Sequence, residues 1–198
     1  MSAVPVAVVQ PDRRENERYV TLYRAGKLSK GDDEQLIMLR NVSANGAMVN
    51  HNGGFEVDDE VVLDLRLNER LRGRVAWART DRLGIAFFES TDLARLLARH
   101  HRERFKPRAP RLRVTAAVEL QVEGVLKPAT LRDISQHGAC VQPAAALPLV
   151  PEVRLVLPEL GDFRALIRWR RGGFVGLNTV STLPMAELNK WVRAQRDG

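Results

Sequence analysis

Arg13, Arg14 and Arg18 stand close together near the start of the chain, with Glu15 and Glu17 between them. A guanidinium is a flat fork that pairs through two N–H groups with phosphate oxygens or with O6 and N7 of guanine. Its face also stacks on a purine. Two arginines four apart on a flexible arm can therefore grip a base and a phosphate of one ligand. Further along comes Asn41-Val42-Ser43-Ala44-Asn45-Gly46. Asn41 and Ser43 are short polar groups at alternate positions, expected to share one side of a strand. Asn41 suits a guanine edge, and Ser43 suits a phosphate or a base. Gly46 allows a tight turn and a close backbone approach. Each element alone has a plainer explanation. The arm reads as a solvated charged segment, and Asn, Ser and Gly are ordinary turn formers.

The turn element occurs twice. Leu39-Arg40-Asn41-Val42-Ser43-Ala44-Asn45-Gly46-Ala47-Met48-Val49 is matched by Leu131-Arg132-Asp133-Ile134-Ser135-Gln136-His137-Gly138-Ala139-Cys140-Val141, at an offset of 92 residues. The same offset carries Trp77 onto Trp169 and Gly84 onto Gly176. Unrelated apolar strands would not hold register over that distance, so the chain contains an internal duplication.

The elements that must position these residues are mostly strands. Tyr19 to Arg24, Gln35 to Asn41, Ala47 to Val49, Val61 to Leu67, Leu71 to Arg79 and Leu83 to Phe88 are short, apolar or alternating, and bounded by Gly, Asn and Asp. So few residues make a poor open sheet with two exposed edges, and closure into a small barrel removes the edges. A helix is expected after each set. Ser90 or Thr91 can cap Asp92 to about Arg104, with Leu93, Leu96 and Leu97 on one face. Pro184 to Val192 plays the same part in the second copy, with the proline tolerated in the first turn. The break between copies is expected near Arg104 to Ala109, where Pro107 and Pro110 follow a basic run.

Composition narrows the functions. Hydrophobic residues make up 44% and charged residues 28%, as in ordinary folded domains. No apolar run approaches the roughly 20 residues of a membrane span, and the opening residues lack the basic start of a secretory signal. Cys140 is the only cysteine, which excludes an internal disulfide and an ordinary cysteine zinc site. The cytoplasm is the expected compartment. A net charge of +7 favours an anionic partner. His51, His100, His101 and His137 show no metal-ligand spacing, so no metal or other cofactor is expected. Ser43 and Ser135 have no histidine base in register, so no enzyme is expected either. Asp58-Asp59-Glu60 reads as an acidic turn without a calcium-loop pattern. The matched positions of Trp77 and Trp169 favour a shared packing role over stacking on a ligand.

Arg14-x-x-x-Arg18 followed by Asn41-x-Ser43-x-x-Gly46 resembles the paired motifs of the PilZ domain family. The resemblance covers about Arg13 to Arg104, and again about Pro107 to the C-terminus. It implies two small six-stranded antiparallel barrels in tandem, each followed by a helix: residues 13–104 and 105–198, after a tail at 1–12. It also implies a receptor for cyclic di-GMP, held by Arg13, Arg14, Arg18, Asn41, Ser43 and Gly46, with the arginine arm closing over the ligand. Binding would order that arm and alter a surface offered to a downstream protein partner, and an oligomer is compatible with this reading. The second copy keeps Asp133, Ser135 and Gly138 but aligns Arg111 with Arg18 and Pro107 with Arg14. Arg104 and Arg108 have the right mutual spacing but sit further from the strand. These residues define at most a weak second site. Two other readings compete: a basic small barrel that binds nucleic acid, and an interaction module that has lost its ligand. Only 6% of residues are aromatic, too few strand aromatics for a nucleic-acid stacking platform.

Overall fold

The computed structural model describes residues 20–65, 70–94 and 109–197. The first copy contributes β1 (Val20–Lys30), β2 (Asp33–Val42), β3 (Gly46–Asn50), β4 (Glu60–Asp64), β5 (Arg70–Ala78) and β6 (Arg82–Phe87). They close into an antiparallel barrel in the order β1-β2-β3-β6-β5-β4, with β1 pairing β4 to complete the ring. The second copy repeats it with β7 (Leu112–Val122), β8 (Val125–Ser135), β9 (Gly138–Pro143), β10 (Glu152–Leu157), β11 (Gly161–Arg171) and β12 (Phe174–Thr179). Its order is β7-β8-β9-β12-β11-β10. Each barrel is filled mainly by its own inward residues, among them Leu28, Leu39, Val49 and Leu83 in the first and Leu120, Leu131, Val141 and Leu155 in the second, which also takes in Leu36 of the first.

The first strand is longer than its sequence suggests. It was expected to end at Arg24 but continues to Lys30, where Gly31 (φ 57°) turns the chain into β2. The apolar alternation fails across Arg24 to Lys27, yet Leu28 is fully buried and Gly26 lies against Leu65 and Ile37. Barrel closure, which needs β1 to reach β4, overrides the local pattern. The strand expected to run to Leu67 ends as β4 at Asp64, and residues 66–69 lie outside the described residues. Of the helix expected from Asp92 to Arg104, Leu93 and Ala94 are helical, Asp92 is not, and residues 95–104 lie outside the described residues. The break expected near Arg104 to Ala109 lies there too, apart from Ala109.

Register shifts recur at matched places, two of them in the strands that carry the motif and the tryptophan. The β2–β3 register slips between Leu39 and Asn41, and the β8–β9 register slips between Leu131 and Asp133. A second pair lies between Val75 and Trp77 and between Ile167 and Trp169. An extra residue resets which side chains face out. Arg40 and Asn41 are therefore both turned away from the core between buried Leu39 and Val42.

The helix α1 (Met185–Asp197) follows the second barrel. Leu188, Trp191 and Val192 sink into that barrel's core, and Trp191 Nε1 donates to the Pro158 carbonyl at 2.6 Å. An adjoining face of α1 reaches the first barrel. Arg196 bonds the Glu34 carbonyl at 3.1 Å and the Arg113 carbonyl at 2.6 Å, while the Glu34 carboxylate accepts from the Arg113 N–H at 2.9 Å.

Burial pushes the Glu34 carboxyl up, but the Arg113 N–H, the Lys27 ammonium and the Arg196 charge outweigh it and hold it below its ordinary value. A depressed folded value stabilises this contact above the unfolded carboxylate range, near pH 4.3, and loses that stabilisation as pH falls through the folded value. Amide protection factors along β2 and α1, each taken against the intrinsic exchange rate at the same pH, are therefore expected to be flat from neutral pH to about pH 5 and to fall only below about pH 4. Glu34→Gln removes the step. A step that persists in Glu34→Gln would assign it to another group.

Candidate functional site

The first-copy motif folds into the β2–β3 corner. The Ser43 N–H donates to the Gly46 carbonyl at 2.8 Å, and the Ser43 hydroxyl turns to the same oxygen at 3.4 Å. The corner is anchored from outside by Phe87 N–H on the Asn45 carbonyl at 2.8 Å and Thr91 N–H on the Ala44 carbonyl at 2.7 Å. Gly46 is required by close approach: a Cβ there would lie 2.5 Å from the Ile85 carbonyl oxygen on the paired strand β6. Only glycine lets β3 and β6 meet at this corner.

A cleft of about 400 Å³ opens beside it, lined by Asn41, Ser43, Asn45, Gly46, Met48, Trp77 and Gly84 among others. A larger cleft of about 580 Å³, between Arg70–Arg72 and Phe87–Asp92, contains none of the motif residues. Asn41, Ser43 and Gly46, expected together from their spacing, all line this one cleft. The fold differs over Ser43, which is buried and bonded within its own turn. Arg13, Arg14 and Arg18 lie outside the described residues. Arg18 is two residues before Val20, where β1 begins and pairs with Val42 and Asn41 through Val20 and Thr21. The first described residues of β1 therefore lie beside the motif.

Trp77 joins this site although its matched position suggested packing alone. It does pack: a Cβ on Gly84 would lie 2.2 Å from the indole Nε1, so the ring rests on the bare glycine backbone. The residue is 39% exposed, and the Arg79 guanidinium lies over the ring at 5.6 Å from its centroid. The bulge at Ala76 and the glycine opposite are the signals that could have revealed this shelf. Gly84→Val would fill the space under the ring and displace it. The expected result is a red-shifted Trp77 emission and a loss of about 1–3 kcal/mol in stability, read by fluorescence and melting. An unchanged spectrum and melting point would show that the indole does not rest there.

The second barrel repeats the shelf, with Trp169 on Gly176 and the indole within 2.1 Å of a Cβ placed there. Its motif is also folded: the Ser135 hydroxyl bonds the Gly138 carbonyl at 3.1 Å, and Gly138 lies tight against the Leu177 carbonyl. The difference is at the outward position. Asp133 carries a charge where Asn41 is neutral, and Arg111 donates directly to the Asp133 carboxylate. Arg104 and Arg108 lie outside the described residues.

Fold and corner together define a class: closed six-stranded barrels that present a bulged strand–turn–strand motif beside an exposed tryptophan. The PilZ domain family matches residues 12–103 and 102–193, and the chain belongs to that family. No curated protein matches it in sequence. Among solved structures, Borreliella burgdorferi PlzA in complex with c-di-GMP is similar at 10% identity and a TM-score of 0.36, over 89% of this chain and 92% of that one. Bacillus subtilis inhibitor of motility MotI is similar at 15% identity and a TM-score of 0.35, over 90% and 99%. The K. pneumonia MrkH–c-di-GMP complex is similar at 11% identity and a TM-score of 0.32, over 86% and 84%.

Proposed function

We propose that this protein is a cyclic di-GMP receptor that acts as an adaptor, with the first barrel as its binding domain. The observation that carries this reading is the convergence of Asn41, Ser43 and Gly46 on one cleft, beside the strand that Arg14 and Arg18 immediately precede, in a chain of the PilZ family. Asn41 offers an amide to a guanine edge. Trp77 adds a flat face for a purine, and the arginines close from the arm with charge-assisted bonds to phosphate. Ordering of the arm then changes the surface shown to a partner protein. The domains run from residue 13 to 104 and from 105 to 198, and the second barrel has at most a weak site. We place the protein in the cytoplasm. Among the described residues no helix is long and apolar enough to cross a membrane. The cleft holds no nucleophile–base pair, and the reading assigns no catalysis.

Calorimetric titration of the full chain at physiological salt tests the proposal. Cyclic di-GMP is expected to give a saturable heat and a single-stranded oligonucleotide none. Heat with the oligonucleotide alone would favour nucleic-acid binding; heat with neither would leave an interaction module without a ligand.

A further inference from the structure

The face of α1 that meets the first barrel is specific to a degree that simple packing does not require. Asn189 is 6% exposed, and its amide oxygen accepts from the Leu36 N–H at 2.9 Å. Its amide nitrogen donates to the Leu36 carbonyl at 2.8 Å and to Asn52 Oδ1 at 2.8 Å. One side chain thus reads both backbone groups of one residue of β2 and one side chain of the loop after β3. Arg193 bonds the Gly53 carbonyl at 3.3 Å, and Gln35 holds the same loop from inside through Gly53 at 3.0 Å and Asn52 at 2.7 Å. Arg196 spans Asp33, the Glu34 carbonyl and the Arg113 carbonyl. The Leu36 side chain, from the first barrel, is buried in the core of the second.

Such a contact has no neighbouring register. Sliding α1 by one residue along β2 breaks both Asn189–Leu36 bonds, buries polar groups without partners and withdraws Leu36 from its socket. Domain reorientation needs an interface with two discrete arrangements of similar free energy. The clamp lies on the first half of β2, the strand whose other end carries Asn41.

We propose that the second barrel serves as a brace: through Asn189, Arg193 and Arg196 it locks the first barrel to itself, so that the pair answers the ligand as one body. This rests on the cyclic di-GMP reading for the ligand, but the brace itself stands without it. The change on binding is confined to the ligand face and arm of the first barrel, and the angle between barrels stays fixed. The partner then recognises a composite of the liganded corner and a fixed second barrel.

Pulsed electron paramagnetic resonance on the full chain tests this. Spin labels go at exposed positions, Arg74→Cys in the first barrel and Val180→Cys in the second, with Cys140→Ala to remove the native thiol. The expected result is one narrow distance distribution, unchanged when cyclic di-GMP is added to saturation, with saturation shown by calorimetry on the same sample. The triple variant Asn189→Ala, Arg193→Ala, Arg196→Ala is expected to broaden the distribution while circular dichroism shows both barrels folded. A ligand-induced shift in the parent overturns the brace, as does a distribution that stays narrow in the folded triple variant. If the triple variant does not fold, Arg193→Ala with Arg196→Ala alone must broaden the distribution. Absence of binding heat would overturn the cyclic di-GMP reading alone, because the broadening is measured without ligand.

Discussion

Arg18→Ala is expected to weaken cyclic di-GMP binding by about 10- to 100-fold, and Arg14→Ala with Arg18→Ala to bring it below calorimetric detection. A hydrogen bond to a charged group contributes about 1.5–3 kcal/mol, and each 1.4 kcal/mol is about tenfold in affinity. Two such losses at one ligand exceed what the polar corner alone can replace. Asn41 is neutral, and the Ser43 hydroxyl is already turned to Gly46. Both arginines precede β1 in sequence, so the melting point is expected to hold while affinity falls. Melting and titration on the same preparations separate a lost contact from a lost fold. Parent-like affinity in both the single and the double variant would remove the arginines from the clamp.

The second large effect concerns which barrel holds the ligand. In the full chain, Asn41→Ala with Trp77→Ala is expected to abolish saturable heat, whereas Asp133→Ala with Trp169→Ala leaves the isotherm unchanged. Magnitudes identify the cause. Arg111 and Asp133 are both about one-third exposed, and an ion pair of that kind contributes about 0–1 kcal/mol. Breaking it to free Arg111 for a ligand is a small obstacle. The larger deficit lies in the arm: the register that relates Thr21 to Arg113 sets Lys106 and Pro110, rather than Pro107 and Arg111, against Arg14 and Arg18 in sequence, and a proline offers neither a charge nor a donor. It forfeits about 1.5–3 kcal/mol that the first barrel retains. Heat that survives the first pair of substitutions and vanishes with Arg104→Ala and Arg108→Ala would place a working site on the second barrel.

The duplication made the architecture readable, because one register relates the corner, the tryptophan and the glycine beneath it in both halves. The amphipathic pattern located most strands. It failed at Arg24 to Lys27, where closure rather than local alternation holds the strand, and at the bulges, where one extra residue breaks the period on which the reading depends. The β2–β3 corner was legible because its residues are local: Asn41, Ser43 and Gly46 lie within one strand–turn–strand segment. Trp77 was harder, since its role depends on Gly84 opposite, a partner set by strand pairing. The α1 contact left no trace at all. Asn189 and Leu36 are 153 residues apart, and neither belongs to a pattern that marks a partner.

Leu36 also changes what counts as a unit of folding. By sequence it belongs to the first repeat, yet it occupies the core of the second. Cutting the chain between the repeats would leave a socket on one fragment and a bare leucine on the other. The repeat boundary is therefore not a boundary of cooperativity. Heat is expected to melt the two barrels in a single transition, with a calorimetric enthalpy equal to the van't Hoff enthalpy for the whole chain. That single transition would make the two repeats, joined at Leu36 and at the Asn189 bonds, one thermodynamic object.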